Sequence, residues 1–113
     1  MNWNNGNEVK LSPRVVYFVP NSNWKQSNAR FAAYFFGAGE TWVSMKLVDG
    51  KYECEIPEGG YTNVIFCRMN PSASANNWNN KWNQTGDLIL TGNEGKTYTV
   101  PNGYWDGSTT GWS

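Results

Sequence analysis

Residues 76–87, from Asn76 to Asp87, hold two tryptophans, a lysine, a glutamine and five asparagines. Tryptophan offers a broad apolar face with one N–H donor, and asparagine offers a donor and an acceptor with no charge to desolvate. Ring faces suit the C–H faces of a pyranose, and amides suit its hydroxyls. The same pairing runs through the 113-residue chain, with seven Trp, six Tyr and five Phe beside 16 Asn. Apolar residues fill interiors first, so rings standing in for a large core would give a similar composition. Composition alone leaves both readings open.

Other chemistries are poorly supplied. The chain has no His, the commonest general base and metal ligand, and its two cysteines, Cys54 and Cys67, are too few for a thiolate zinc site. Glu53 and Glu55 are the one acid pair that suggests catalysis. They alternate with Tyr52, Cys54 and Ile56, so they are expected on the wet face of a short strand with no pocket beside them. The expectation is a binding protein, not an enzyme, with no cofactor and no metal. Nine basic residues balance nine acidic ones without a run of either sign, which argues against a nucleic-acid partner. The longest apolar stretch is far short of the roughly 20 residues that cross a bilayer, so no membrane partner is expected. Met1 is followed at once by Asn2-Trp3-Asn4-Asn5, without the basic and apolar regions of an export signal. That reads as a mature or excised domain, secreted or cell-surface, with its signal elsewhere.

The elements that must position these residues are short strands. Residues 1–13 lack periodicity and read as a linker, leaving 14–113 as one domain. β-rich runs then alternate with turn signals at sandwich-like spacing: 14–19, 29–36, 41–47, 51–56, 62–68, 84–90 and 96–100. No window keeps a helical period for more than about a turn. The fold class is therefore all-β, an immunoglobulin-like antiparallel β-sandwich of about seven strands. Asp49-Gly50 between two runs is a hairpin signal. In the second run Phe31, Ala33 and Phe35 form one apolar face, while Ala32, Tyr34 and Phe36 form another where alternation would put polar groups. Such a strand is either covered on both faces or presents one to a ligand. Cys54 and Cys67 could be bridged only if register set them opposite each other; two buried free thiols are the expected reading.

The ordered series Val16-Tyr17-Phe18, Asn23-Trp24-Lys25, Ala33-Tyr34, Trp42, Tyr52, Val64-Ile65-Phe66 and Gln84-Thr85-Gly86-Asp87-Leu88 resembles the starch-binding carbohydrate-binding modules of family 26. The resemblance spans residues 15–90. It implies an immunoglobulin-like sandwich with a shallow site for starch, amylose or amylopectin, and maltooligosaccharides. It also implies a monomeric module within a larger secreted bacterial amylase or surface starch-binding protein. By that resemblance Tyr34 and Trp42 stack on successive glucose units, and Lys81 and Gln84 bond hydroxyls. Ala32 and Phe36 stand where the family usually has Tyr and Trp, and the loop after Asn70 is longer and richer in Trp. These departures point to a site shifted toward Trp78 or Trp82, one of which is expected to plug the sandwich end. Trp24 is a further candidate, set in a strand-connecting turn. The competing expectation is a structural immunoglobulin-like spacer of a multidomain surface protein, with most Trp buried.

Overall fold

A computed structural model describes residues 14–105 and 111–113; the linker-like segment 1–13 and residues 106–110 lie outside the described residues. The strands are β1 (Val15–Val19), β2 (Arg30–Phe36), β3 (Glu40–Ser44), β4 (Lys46–Val48), β5 (Lys51–Glu55), β6 (Asn63–Met69), β7 (Lys81–Gln84), β8 (Leu88–Ile89) and β9 (Thr97–Thr99). They form two sheets. One has the order β4-β5-β1-β9, and the other β3-β2-β6-β7 with β8 also on β6. Pairing is antiparallel except between β1 and β9, which run parallel. The chain is thus an all-β sandwich, and no helix among the described residues is long and apolar enough to cross a membrane.

Two of the seven expected runs are divided, each for a visible reason. The run 41–47 starts in one sheet as β3 and ends in the other as β4. Buried Met45 is the crossing point, and its N–H donates to the Phe31 carbonyl at 2.9 Å. The run 84–90 breaks between β7 and β8, which pair with successive parts of β6. There the buried Thr85 hydroxyl accepts from the Phe66 N–H at 3.1 Å and donates to the Gly86 carbonyl at 2.9 Å. A side chain thereby fills a gap in the ladder. The Asp49-Gly50 hairpin forms between β4 and β5, with φ of 52° and 86° at its two central residues. Those positive values match the primed turns whose twist fits flanking strands.

The core lies between the sheets. Val16 and Phe18 of β1 face Phe31, Ala33 and Phe35 of β2 and Val64 and Phe66 of β6, all buried. Phe18 stacks on Phe66 with centroids 4.8 Å apart. Burial of each of these Val and Phe side chains stabilises the fold by about 1.5–3 kcal/mol. Cys54 belongs to this core, whereas Cys67 is buried on the outer side of β6 among Ala32, Ile65 and Met69. Both are free thiols, as the sequence suggested. β5 pairs with β1 and β4, and β6 with β2, β7 and β8, so Cys54 and Cys67 lie in different sheets and no register sets them opposite each other.

Burial pushes both thiols up to about 12 from an ordinary 9. A native pKa above the unfolded one adds stability that is complete below pH 9 and is lost as pH rises toward 12. In a thiol-reagent assay at neutral pH the native protein should label slowly, with both cysteines reacting at once in denaturant; fast native labelling would contradict the burial. Thr85→Val keeps the volume but strands the Phe66 N–H. It should cost about 1–3 kcal/mol in urea titration with an unchanged slope.

Candidate functional site

The second apolar face of β2 looks away from the core, across the outside of the five-stranded sheet. Ala32 with Ile65, Cys67 and Met69 of β6 makes a small floor there, and Tyr34, Phe36 and Trp42 pack against it. Register puts Tyr34 opposite Trp42 on β3 and Ile65 on β6. The Tyr34 and Trp42 rings lie 5.0 Å apart at 55°, and Phe36 stacks beside Tyr34 at 5.5 Å. Cross-strand neighbours of this kind are the unit from which sheet faces are built.

Trp78 joins them from the long loop between β6 and β7. Its ring meets Tyr34 at 4.8 Å and Trp42 at 4.7 Å, with planes at 64° and 65°. The three rings therefore form a corner of angled faces, and Trp78 remains 42 % exposed. Edge-to-face contact is a preferred geometry for aromatic pairs, so the rings hold one another in place. Arg30, at the start of β2, clamps the loop. Its Nε donates to the Ala73 carbonyl, Nη2 to the Ala75 carbonyl and Nη1 to Asn76 Oδ1, at 2.6–2.8 Å. Asn76 in turn donates to Ser44 Oγ on β3 at 3.0 Å. Asn77 caps the short 3-10 turn Trp78–Asn80 by accepting from the Asn80 N–H, and Asn80 Nδ2 donates to the Ala75 carbonyl.

Polar groups border the corner. On β7, Met69 pairs with Lys81 and Cys67 with Gln84, so Lys81 and Gln84 face the same side despite standing three residues apart. A bulge opposite Arg68 and Met69 takes up the extra residue. Lys81 Nζ lies 5.5 Å from the Trp78 ring centroid and donates to Gln84 Oε1 at 2.6 Å. On the other flank the Tyr34 hydroxyl donates to the Glu40 carboxylate. An ammonium, an amide and a carboxylate around angled rings can bond hydroxyls and stack on C–H faces.

Five of the residues singled out in the sequence are thus brought together: Tyr34, Trp42, Trp78, Lys81 and Gln84. Two are not. Trp24 is 0 % exposed, packs on Phe18 at 5.7 Å and donates from Nε1 to the Trp105 carbonyl at 3.0 Å, so it presents no face to a ligand. Its turn closes the sandwich end, where a large ring fills space. Trp82 stays 40 % exposed but lies over the Arg68 guanidinium, 4.7 Å from its carbon, apart from the Tyr34 corner. Neither Trp78 nor Trp82 is a buried plug. Glu53 and Glu55 also differ from expectation: with Lys46, Val15 and Val43 they line an open groove of about 600 Å³, which no aromatic ring among the described residues lines.

Arg30, Glu40 and Asn76 were missed in the sequence. Arg30 was legible in one respect, since alternation puts it on the same side of β2 as Ala32, Tyr34 and Phe36. Its loop partners lie more than 40 residues away and left no signal. No family model matches the chain, and neither a curated protein nor a solved structure does.

The hydrogen bond to Glu40 raises the Tyr34 phenol to about 12, with burial and the carboxylate charge adding to it. The phenol therefore stays a neutral donor well past pH 10, and the stability from its bond, complete below pH 10, is lost as pH rises from 10 to about 12. In ultraviolet titration, the tyrosine lost in Tyr34→Phe should be a late-ionising one, and Glu40→Gln should return it toward 10. An unchanged late phase in Glu40→Gln would remove Glu40 as the cause.

Proposed function

We propose that this chain is a non-catalytic carbohydrate-binding module for α-1,4-glucan, acting within a larger secreted or cell-surface protein. The observation that carries the proposal is the corner of Tyr34, Trp42 and Trp78, with planes 55–65° apart and Lys81 and Gln84 at its edge. Rings inclined to one another match successive sugar faces of a twisting glucan better than a flat chain such as cellulose. The ordered motifs shared with the starch-binding modules of family 26 support the same ligand class. Tyr34 and Trp42, the pair which that resemblance named, are cross-strand neighbours here.

The strand order supports an immunoglobulin-like reading of the sandwich. β4-β5-β1 and β3-β2-β6-β7 follow the D-E-B and C′-C-F-G arrangements of that fold. β9 takes the place beside β1 where strand A would lie, running parallel to it.

A shallow corner of this kind gives modest affinity, about −8 to −4 kcal/mol, and repeated modules would raise avidity. Tyr34→Ala, Trp42→Ala and Trp78→Ala should each weaken retention in a starch affinity gel, by roughly tenfold or more. Cellulose and xylan gels should show no retention of the unmodified protein. The mutual ring packing also fits a structural spacer. That reading is favoured if maltooligosaccharides leave tryptophan fluorescence unmoved and the three variants run on starch like the parent.

A further inference from the structure

A second set of rings gathers around Arg68. This side chain points from β6 into the end of the sandwich and is only 8 % exposed. Its Nε donates to the Trp24 carbonyl at 2.7 Å, Nη2 to the Gln26 carbonyl at 2.9 Å and Nη1 to Asn83 Oδ1 at 2.9 Å. Arginine has five N–H donors. The remaining two, one on each terminal nitrogen, have no acceptor among the described residues. Trp82 and Trp105 lie with ring centroids 4.7 and 5.3 Å from the guanidinium carbon. Both rings are open to solvent, at 40 % and 47 % exposure, and Tyr104, which precedes Trp105 in the chain, is half exposed.

The segment carrying Trp105 is tied down. Buried Asn21 donates from Nδ2 to the Pro101 and Tyr104 carbonyls at 2.7 and 2.6 Å, and Trp24 Nε1 holds the Trp105 carbonyl. Rings already fixed in position lose little freedom when a ligand arrives. Exposed rings beside buried donors that have no acceptor among the described residues offer stacking and hydroxyl bonding together, the same two contacts available at the Tyr34 corner. β7 joins the two places. It borders the sheet as an edge strand, sending Lys81 and Gln84 to the corner, while Trp82 and Asn83 turn to Arg68 through the bulge. Lys81 and Trp82 are consecutive, with Cα atoms about 3.8 Å apart. A polymer leaving the corner over this edge meets Trp82 next.

We propose that Trp82, Trp105 and Arg68 form a second sugar-binding surface, which takes further glucosyl units of an α-glucan held on the Tyr34–Trp42–Trp78 corner. This rests on the function proposed above. A long chain engaging both surfaces gains effective concentration that a short oligosaccharide cannot.

The test compares maltotriose with amylopectin in calorimetry and affinity gels, using the parent, Tyr34→Ala and Trp82→Ala/Trp105→Ala. The double variant should bind maltotriose within about twofold of the parent and amylopectin about tenfold more weakly, the two lost rings together being worth about that much. Trp105→Ala alone keeps the backbone carbonyl that Trp24 uses. It should show the same selective loss in part, and it serves if the double variant melts early. Amylopectin binding untouched in the folded double variant but lost in Tyr34→Ala would overturn the second surface and leave the function standing. Equal loss for both ligands would also overturn it, as a disturbance of one site. A parent protein that binds neither glucan would overturn both proposals.

Discussion

Strand β2 is apolar on both faces, and much of the molecule is arranged to cover the two. Phe31, Ala33 and Phe35 complete the core between the sheets. Ala32, Tyr34 and Phe36 lie on the far side, where a second sheet layer is absent from the described residues. Leaving that side bare would expose a contiguous apolar patch of the sort that drives association. Trp42 from β3 and Trp78 from the β6–β7 loop reduce the exposed patch by packing on it, yet both are amphipathic, Trp42 partly buried and Trp78 still exposed. The face is thus partly covered and partly open.

Covering the face from a loop creates a second problem, because loops are costly to order. The chain solves it with hydrogen bonds in place of hydrophobic burial. Arg30 spends three donors on the loop, and Asn70, Asn76, Asn77 and Asn80 each bond within it or to a neighbouring strand. Much of the asparagine surplus near residue 80 is therefore architectural. The amides suggested as sugar ligands by composition are largely occupied in presenting Trp78. Under the proposed function, hydroxyl bonding would then fall to Lys81, Gln84 and Glu40, which stand at the edges of the rings.

Alternation made the two faces of β2, the inward side of β5 and the Asp49-Gly50 hairpin readable, since each depends on neighbours close in sequence. It could not show that 41–47 changes sheets at Met45, because a strand that crosses between layers keeps the same period on either side. Nor could it show the interruption at Thr85, where a hydroxyl replaces a backbone partner and only the ladder reveals it. The bulge on β7 had the largest effect on the site. One extra residue moved Trp82 out of the corner, while Lys81 and Gln84, three apart, ended on the same face. Bulges depend on the partner strand, so the run of Trp and Asn near residue 80 did not encode which ring would go where.

The seven tryptophans consequently divide by the cost of losing them, where described. Trp24 has no exposed surface, packs on Phe18 and holds the Trp105 carbonyl, so its replacement would open a cavity costing about 3–5 kcal/mol. Trp78 and Trp82 sit on finished structure: one rests on rings that already pack on β6, the other on a guanidinium already bonded three ways. A ring whose removal leaves its support intact contributes mainly to what it meets on its open side. The surplus of aromatics is best understood in those terms. Among the described residues the core takes the rings that folding requires, Tyr17 lies against Lys51 on the other sheet, and the rings of the corner and of the Arg68 cluster are held at two surfaces that share strand β7.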